Sequence, residues 1–207
     1  MSKVLLINGS PNEHGNTWTA LKEVAGALKK NGVETDILYL GKQAVQGCVA
    51  CFRCAKARKC VFDDAVNTVL EKIDTYDGIV VGSPVYFAGP NGSLCAFLDR
   101  LFYAGGKHLF GKVAAAVVCC RRGGATAALD RLNKYLVYSN MHIVGSQYWN
   151  LVHGMGAGEV NEDKEGMQTM RTLGQNMAWM LKNIEAGKEQ NVPVPEYERR
   201  VYTNFVR

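Results

Sequence analysis

The pattern of apolar and polar positions along the chain predicts an α/β protein. Five apolar runs rich in branched side chains have the length and composition of strands buried on both faces; they cover residues 4–7, 34–40, 77–82, 113–120 and 142–148. Between and after them, apolar residues recur at helical spacing, which predicts helices over residues 17–32, 64–72, 93–103, 125–139 and 163–186. Strands that alternate with helices form a parallel sheet covered on both faces. We expect one domain over residues 1–187 and an extended tail over residues 188–207.

Turn-forming and capping residues mark the ends of these elements. Asp64 and Ser93 stand where a side chain can accept hydrogen bonds from the first turn of a helix, so both are predicted N-caps. Residues 83–92 contain two prolines and two glycines, which predicts a loop without regular structure. Methionines recur on one face of the last helix, a pattern typical of core packing or of a dimer interface.

Three polar, glycine-rich loops follow strands and leave the sheet at their carboxyl ends: residues 9–16, 83–92 and 120–124. In open parallel sheets, ligands bind beyond this edge, at the point where the strand order reverses. We therefore expect the three loops to meet and to form a binding site.

The first loop has the chemistry of a phosphate site. A strand, a polar loop and a helix N-terminus follow one another, so backbone N–H groups and the positive end of the helix dipole face the loop. The hydroxyls of Ser10 and Thr17 add hydrogen-bond donors. The loop lacks both G-x-G-x-x-G and G-x-x-x-x-G-K-[ST], the motifs that bind dinucleotides and nucleoside triphosphates. A loop with hydroxyls and no lysine suits a phosphate monoester.

The other two loops offer surfaces for a ring. Tyr86 and Phe87 present flat apolar faces, and Arg122 with the N–H groups of Gly123 and Gly124 can donate to carbonyls or to a negatively charged ring. A planar, polar heteroaromatic group on a phosphate tail would fit all three loops.

The motifs GSPNEHGNT, SPVYFAGPNG followed by SLCAFLDR, and RRGG together resemble the NADPH-dependent FMN reductase family of the flavodoxin-like superfamily. The resemblance covers nearly the whole chain and implies a five-stranded parallel sheet of order 2-1-3-4-5 in an FMN-binding domain. It also implies which residues contact FMN. The phosphate would lie at Ser10, Asn16 and Thr17, with Pro11 shaping the turn, and the ring at Pro84, Val85, Tyr86, Phe87, Arg122, Gly123 and Gly124. Because the flavin carries the chemistry, no catalytic side chain is expected.

Four cysteines lie in one loop, residues 47–62, which is inserted into this domain. Cys48, Cys51, Cys54 and Cys60 form the pattern C-x2-C-x2-C-x5-C, a spacing compact enough for one segment to supply all ligands of a [4Fe-4S] cluster. The pattern resembles that of the iron-sulfur flavoproteins. A zinc site of four thiolates, a reactive thiol pair and a purely structural loop are the alternatives.

Composition limits the other functional classes. With 207 residues, 47% hydrophobic and 21% charged, the chain has the make-up of a soluble globular protein. We expect a cytoplasmic protein that does not bind membranes, because no apolar segment has the length of a membrane span, no signal peptide is recognisable, and the seven cysteines are odd in number. A net charge of +5 without a long basic run gives no reason to expect a nucleic-acid partner.

The resemblance therefore implies an FMN-dependent oxidoreductase. NAD(P)H would bind transiently as co-substrate and donate a hydride. The electrons would pass to a flavin, a quinone, a nitro or azo compound, or a redox protein. The alternatives are a non-enzymatic electron-transfer flavoprotein and a non-redox protein that binds a phosphate ligand. A homodimer or homotetramer is expected, in which a neighbouring subunit helps to wall the site.

Overall fold

The structure is a computed structural model and describes residues 1–205. The described residues form seven strands: Lys3–Asn8 (β1), Glu34–Tyr39 (β2), Gly78–Tyr86 (β3), Gly89–Pro90 (β4), Val113–Cys120 (β5), His142–Ile143 (β6) and Leu151–His153 (β7). Six α-helices cover Asn16–Lys30 (α1), Cys54–Ala57 (α2), Ala65–Leu70 (α3), Gly92–Leu109 (α4), Ala125–Tyr138 (α5) and Lys164–Glu189 (α6). Short 3-10 helices cover Ile73–Thr75 and Glu159–Glu162.

The sheet has the predicted strand order. Its main path runs β2-β1-β3-β5-β6 with every pair parallel, which is the order 2-1-3-4-5 expected for five strands. Two short strands bring the total to seven rather than five: β4 pairs antiparallel with β3, and β7 pairs parallel with β5. Strand order therefore reverses between β1 and β3, where the ligand edge is expected.

The fifth predicted strand, residues 142–148, is divided in the structure. His142–Ile143 pairs with the start of β5 and Leu151–His153 with its end, while the residues between them leave the sheet. In the departing segment, Ser146 Oγ donates to the carbonyl of Tyr148 or to Asn150 Oδ1, at 2.6 and 2.8 Å. Such local side-chain bonds compete with the hydrogen bonds of a sheet.

Residues 83–92 are more regular than predicted. Strand β3 continues through Pro84 to Tyr86, and Val85 and Tyr86 pair with Pro90 and Gly89 in a small hairpin. The Gly82 carbonyl accepts from Gly9 N–H on the β1 side, so the nitrogen of Pro84, two residues on, faces the same side beyond the end of β1. The N–H that proline lacks is therefore not needed for pairing.

Two apolar clusters lie on opposite faces of the sheet. One is formed with α3, α4 and α5, and the other with α1 and α6. Met167, Met170 and Met177 are buried in the second cluster against α1, so the methionine stripe is core packing. Among the described residues, no helix is long and apolar enough to cross a membrane.

One of the two predicted caps is correct. Asp64 Oδ1 accepts from the N–H of Val66 and caps α3. The prediction for Ser93 was wrong: α4 starts at Gly92, and Asn91 is its cap, with Oδ1 accepting from the N–H groups of Ser93 and Leu94. Helix α6 ends at Glu189, and the described residues after it have no regular structure and are exposed.

Candidate functional site

The three predicted loops come together at the carboxyl edge of the sheet. The N–H of Gly9 in the first loop donates to the carbonyl of Gly82 at 2.9 Å, directly before the second loop. Gly124 in the third loop lies so close to the second that an added Cβ would come within 2.8 Å of Ala88 Cα. The sequence-based expectation that these loops meet agrees with these contacts.

The first loop is held in shape by its own polar groups. Ser10 is buried; its N–H donates to Asn8 Oδ1, and its Oγ accepts from the N–H of Asn12, each at 3.1 Å. The Tyr39 hydroxyl donates to the Pro11 carbonyl at 2.7 Å. Because Ser10 Oγ acts as an acceptor here, its own hydrogen can be donated to a ligand.

The first turn of α1 faces this loop with its N–H groups open. Its N-cap is Gly15, which provides no side-chain cap, and Thr17 lies buried one residue past the start. Helices α4 and α6 are instead capped by Asn91 and Asp163. N–H groups in an uncapped first turn have no partner within the helix and attract anions.

The side chain of Asn16 has a different partner from the predicted phosphate. It donates to the Gly156 carbonyl at 2.8 Å and accepts from the N–H groups of Gly158 and Val160 at 3.0 and 3.3 Å. Its backbone N–H remains in the open first turn of α1. Asn16 thus fastens a fourth loop, residues 154–160, to the site.

Sequence reasoning did not include this fourth loop. Its signal is the alternating glycines of GMGAG, at positions 154, 156 and 158. Gly154 donates to the Cys120 carbonyl at 3.1 Å, and an added Cβ there would approach Asn16 Nδ2 to 2.8 Å. The loop therefore packs closely against both the first and the third loops.

The second loop carries two exposed aromatic rings on a tight hairpin. Phe87 and Ala88, at the tip, both have positive φ, 49° and 61°, as a type I′ turn requires. Phe87 is fully exposed and Tyr86 is 47% exposed, while Pro84 and Val85 are half-buried beneath them. Positive φ at residues other than glycine is uncommon and concentrates at functional sites. The hairpin presents its rings to a ligand or to solvent.

The third loop is open to solvent and supported by a cysteine. Arg122 and Gly123 are exposed, and Gly124 adopts a φ of +85° as the N-cap of α5, again without a side-chain cap. Burial raises the pKa of the Cys120 thiol, and backbone hydrogen bonds from Arg122 and Ala125 partly offset this effect. Two uncapped helix N-termini, those of α1 and α5, therefore lie at the same edge as the loops.

The four cysteines of residues 47–62 line one partly open cavity with a volume of about 20 Å³. Burial raises the pKa of the Cys54 thiol, and the charges of Cys60, Cys48 and Cys51 raise it further, so the sulphur atoms influence one another. Within the described part of the chain, the thiols do not form a closed group of metal ligands. Four thiols around one cavity nevertheless provide the donor type and number that an iron-sulfur cluster requires.

The backbone of this segment is strained around the cysteines. Ala50, Phe52 and Arg58 have positive φ values of 51°, 57° and 52°. Each such residue costs energy that the surrounding structure must compensate, and such strain is found at ligand sites. Phe52 and Tyr103 meet edge to face at the cavity, with ring centroids 6.2 Å apart.

Comparison with known proteins assigns the chain to a class. The family model described as NADPH-dependent FMN reductase matches residues 2–156. The chain therefore belongs to the NADPH-dependent FMN reductase family, as its motifs predicted, and is an NAD(P)H-dependent FMN oxidoreductase.

Curated relatives and a solved structure refine this assignment. The chain is 32% identical to an iron-sulfur flavoprotein of Methanocaldococcus jannaschii, over 88% of this chain and 99% of the relative. It is 28% identical to the iron-sulfur flavoprotein of Methanosarcina thermophila, over 91% and 100% of the two chains. A flavodoxin, WrbA-like protein from Agrobacterium tumefaciens superposes with a TM-score of 0.61 at 16% identity, over 88% and 99% of the chains. The fold is flavodoxin-like, as predicted.

Proposed function

We propose that this protein binds FMN at the four loops, oxidises NAD(P)H, and passes the electrons onward through a [4Fe-4S] cluster held by Cys48, Cys51, Cys54 and Cys60. The observation that carries the proposal is the cavity lined by all four thiols, in a chain whose flavin loops meet at one edge. The similarity to two proteins named iron-sulfur flavoproteins supports the proposed cluster.

The residues of the four loops divide the task of binding FMN. The open N–H groups of α1, with Ser10 and Thr17, would bind the phosphate. Tyr86 and Phe87 would lie against the ring, and Arg122 would place a positive charge where the reduced ring gains a negative one. Because the chain contains no dinucleotide-binding motif, the nicotinamide would stack transiently on the exposed ring face. FMN, when bound, supplies hydride acceptance and one-electron release.

The cysteine segment would supply the ligands and part of the counter-charge. Lys56, Arg58 and Lys59 lie within it and would offset the negative charge of a cluster. The cluster, when bound, supplies single-electron transfer. The final acceptor is then a small molecule such as a flavin, a quinone, or a nitro or azo compound, or a redox protein.

A non-enzymatic electron-transfer flavoprotein is the second candidate. An exposed aromatic pair at the cysteine cavity favours this function, because a protein partner could dock there. The pair consists of Phe52, 62% exposed, and Tyr103, 56% exposed.

We further propose that the protein is a homodimer or homotetramer with no nucleic-acid partner. The cytoplasmic location remains a prediction from the sequence.

The test is a visible spectrum of protein purified without oxygen, with iron and acid-labile sulphide measured on the same sample. We expect flavin bands over a broad cluster absorbance, with about four irons and four sulphides per chain. A Cys54→Ser variant should lose most of the iron and keep the flavin bands. Cys95→Ser, outside the cavity, is the matched control. Flavin without iron in the unaltered protein would refute the cluster.

Turnover distinguishes the two candidate functions. NAD(P)H added in the dark should bleach the flavin bands of an oxidoreductase within seconds to minutes. A carrier would be reduced only by a partner protein or a chemical reductant.

A further inference from the structure

Arg100, in the third turn of α4, is a buried positive charge beside the cysteine cavity. Its side chain is 1% exposed, and arginine is almost never buried to this extent unless it is paired. It lines the same cavity as the four cysteines. Arg100 is the last residue of the SLCAFLDR motif, but it lies outside the loops predicted to bind the flavin.

All five N–H donors of this guanidinium have acceptors. Nη1 and Nη2 donate to the two carboxylate oxygens of Asp64 at 2.6 and 2.9 Å. They also donate to the carbonyls of Gln46 at 3.1 Å and Phe62 at 3.2 Å. The remaining donor, Nε, is directed at the Sγ atom of Cys60 at 3.2 Å.

These acceptors lie at both ends of the cysteine segment. Gln46 precedes Cys48 by two residues, whereas Phe62 and Asp64 follow Cys60. Arg100 thus ties the start and the end of the segment to a single point on α4. Lysine could not replace it, because an ammonium has three donors and lacks the planar fork that serves Asp64 and the Cys60 sulphur together.

The two charges of the Arg100–Asp64 ion pair differ in their exposure to solvent. The Asp64 carboxylate is partly open to solvent, with 36% of its side chain exposed, whereas the guanidinium is enclosed. Solvent screens the carboxylate more than the enclosed guanidinium, and the sulphur of Cys60 lies 3.2 Å from Nε of that less screened charge. A residue needed only to pair with Asp64 would not require the Nε–Sγ contact.

We propose that Arg100 is a positioning residue for Cys60: it holds this sulphur towards the cavity and raises the reduction potential of the group bound there. This inference rests on the proposed cluster function. A cluster gains one negative charge when it takes up an electron. A hydrogen bond and a positive charge at a ligand sulphur stabilise that reduced form.

Three variants and one control test this role. Arg100→Lys keeps the charge and loses the fork, and Arg100→Gln loses the charge. Asp64→Asn keeps Arg100 and the helix cap but removes the carboxylate that balances it. Arg171→Gln is the control, because Arg171 also pairs with a carboxylate, Glu23 at 2.6 Å, on the helices of the opposite sheet face.

The measurements are iron and sulphide per chain, the midpoint potential of the cluster by optical and EPR titration, and folding by circular dichroism. We expect the potential to fall in Arg100→Lys and further in Arg100→Gln, with partial iron loss in the latter. It should rise in Asp64→Asn with iron retained, and stay unchanged in Arg171→Gln.

Each result is decisive for one of the two proposals. Potentials and iron contents equal to those of the unaltered protein in both Arg100 variants would overturn the role of Arg100. If neither Arg100 variant folds, Asp64→Asn decides: a raised potential supports the role, and an unchanged one overturns it. Absence of iron from the unaltered protein would instead refute the cluster itself, whatever the variants do.

Discussion

Gly124 links the second and third loops through a conformation that few residues adopt. Its φ of +85° is left-handed, and an added Cβ would meet the backbone of Ala88 at 2.8 Å. A left-handed conformation alone costs an alanine about 1 to 2 kcal/mol. We therefore expect Gly124→Ala to lower the free energy of unfolding by at least about 1 kcal/mol. FMN should bind about tenfold more weakly, which corresponds to about 1.4 kcal/mol.

Gly145→Ala is the matched control for this prediction. Gly145 lies outside the candidate site, and it has no atom within 4 Å of an added Cβ and no positive φ. Urea unfolding and a fluorescence titration with FMN would measure both variants. Equal effects at the two positions would show that the contact with Ala88 does not shape the site.

Tyr76 provides a pH-dependent contribution to stability. Its hydroxyl donates to Asp36 Oδ2 at 2.9 Å, and burial, followed by the hydrogen bond to Asp36 and its charge, raises the pKa of Tyr76 to about 12. A group whose pKa is raised on folding stabilises the protein below its unfolded pKa. That stabilisation is lost as the pH rises through the folded value.

The Tyr76→Phe variant isolates this effect. It should be about 1 kcal/mol less stable than the unaltered protein at pH 8, because one hydrogen bond is lost. The difference in stability between the two proteins should shrink between pH 10 and pH 12, because only the unaltered protein loses the contribution of Tyr76 there. Urea midpoints of both proteins across this range are the measurement, and a constant difference would contradict the assignment.

Among the secondary-structure elements, α4 connects the two candidate sites. It starts beside the hairpin of the second loop with the Asn91 cap and carries Arg100 and Tyr103 to the cysteine cavity. The observed cap of α4, Asn91, and the predicted one, Ser93, should therefore respond differently to substitution by alanine. Asn91→Ala should cost about 1 kcal/mol of stability, whereas Ser93→Ala should change it by less than about 0.5 kcal/mol.

Thermal or urea unfolding of the two cap variants checks this prediction. Asn91 also supports the hairpin of the second loop, because its N–H donates to Ser83 Oγ at 2.9 Å. A larger loss for Ser93→Ala than for Asn91→Ala would indicate that the cap lies where the sequence predicted it.

For the chain as a whole, the tail after α6 leaves large apolar side chains exposed. They are Val192, Val194, Tyr197, Val201, Tyr202 and Phe205. Tyr197 meets Phe110 edge to face, and Arg200 lies over the ring of Tyr138, so the tail runs along the molecule without being buried. Burying one large apolar side chain contributes about 1.5 to 3 kcal/mol, which favours contact with a second copy.

Light scattering on a sizing column tests this expectation. The full chain should be a dimer or a tetramer, and a chain ending at Glu189 should shift towards monomer. A chain with Val201, Tyr202 and Phe205 changed to serine should shift in the same direction at unchanged length. A monomeric full chain would contradict the expected assembly.

Much of the scaffold could be predicted because it depends on local patterns. The apolar run predicted as a strand over residues 113–120 has the same bounds as β5. Asp64 caps α3, as its position in the sequence predicted. The hairpin at Tyr86 was not predicted, because Phe87 and Ala88 are unusual residues for a type I′ turn. The resemblance implied a phosphate contact for Asn16; the bonds of its side chain to the fourth loop were not predicted, because those partners lie about 140 residues away in the sequence.

The sequence alone determined the order of the main strands and helices, the positions of the three loops predicted to bind a ligand and the spacing of four cysteines. These features follow from the periodicity of burial and from turn chemistry within a few residues. The tertiary structure decided that Asn16 secures a fourth loop, that Asn91 caps α4, and that Arg100 joins both ends of the cysteine segment beside Cys60. Buried polar groups must find partners, and those partners come from wherever the fold brings an acceptor or a donor within reach.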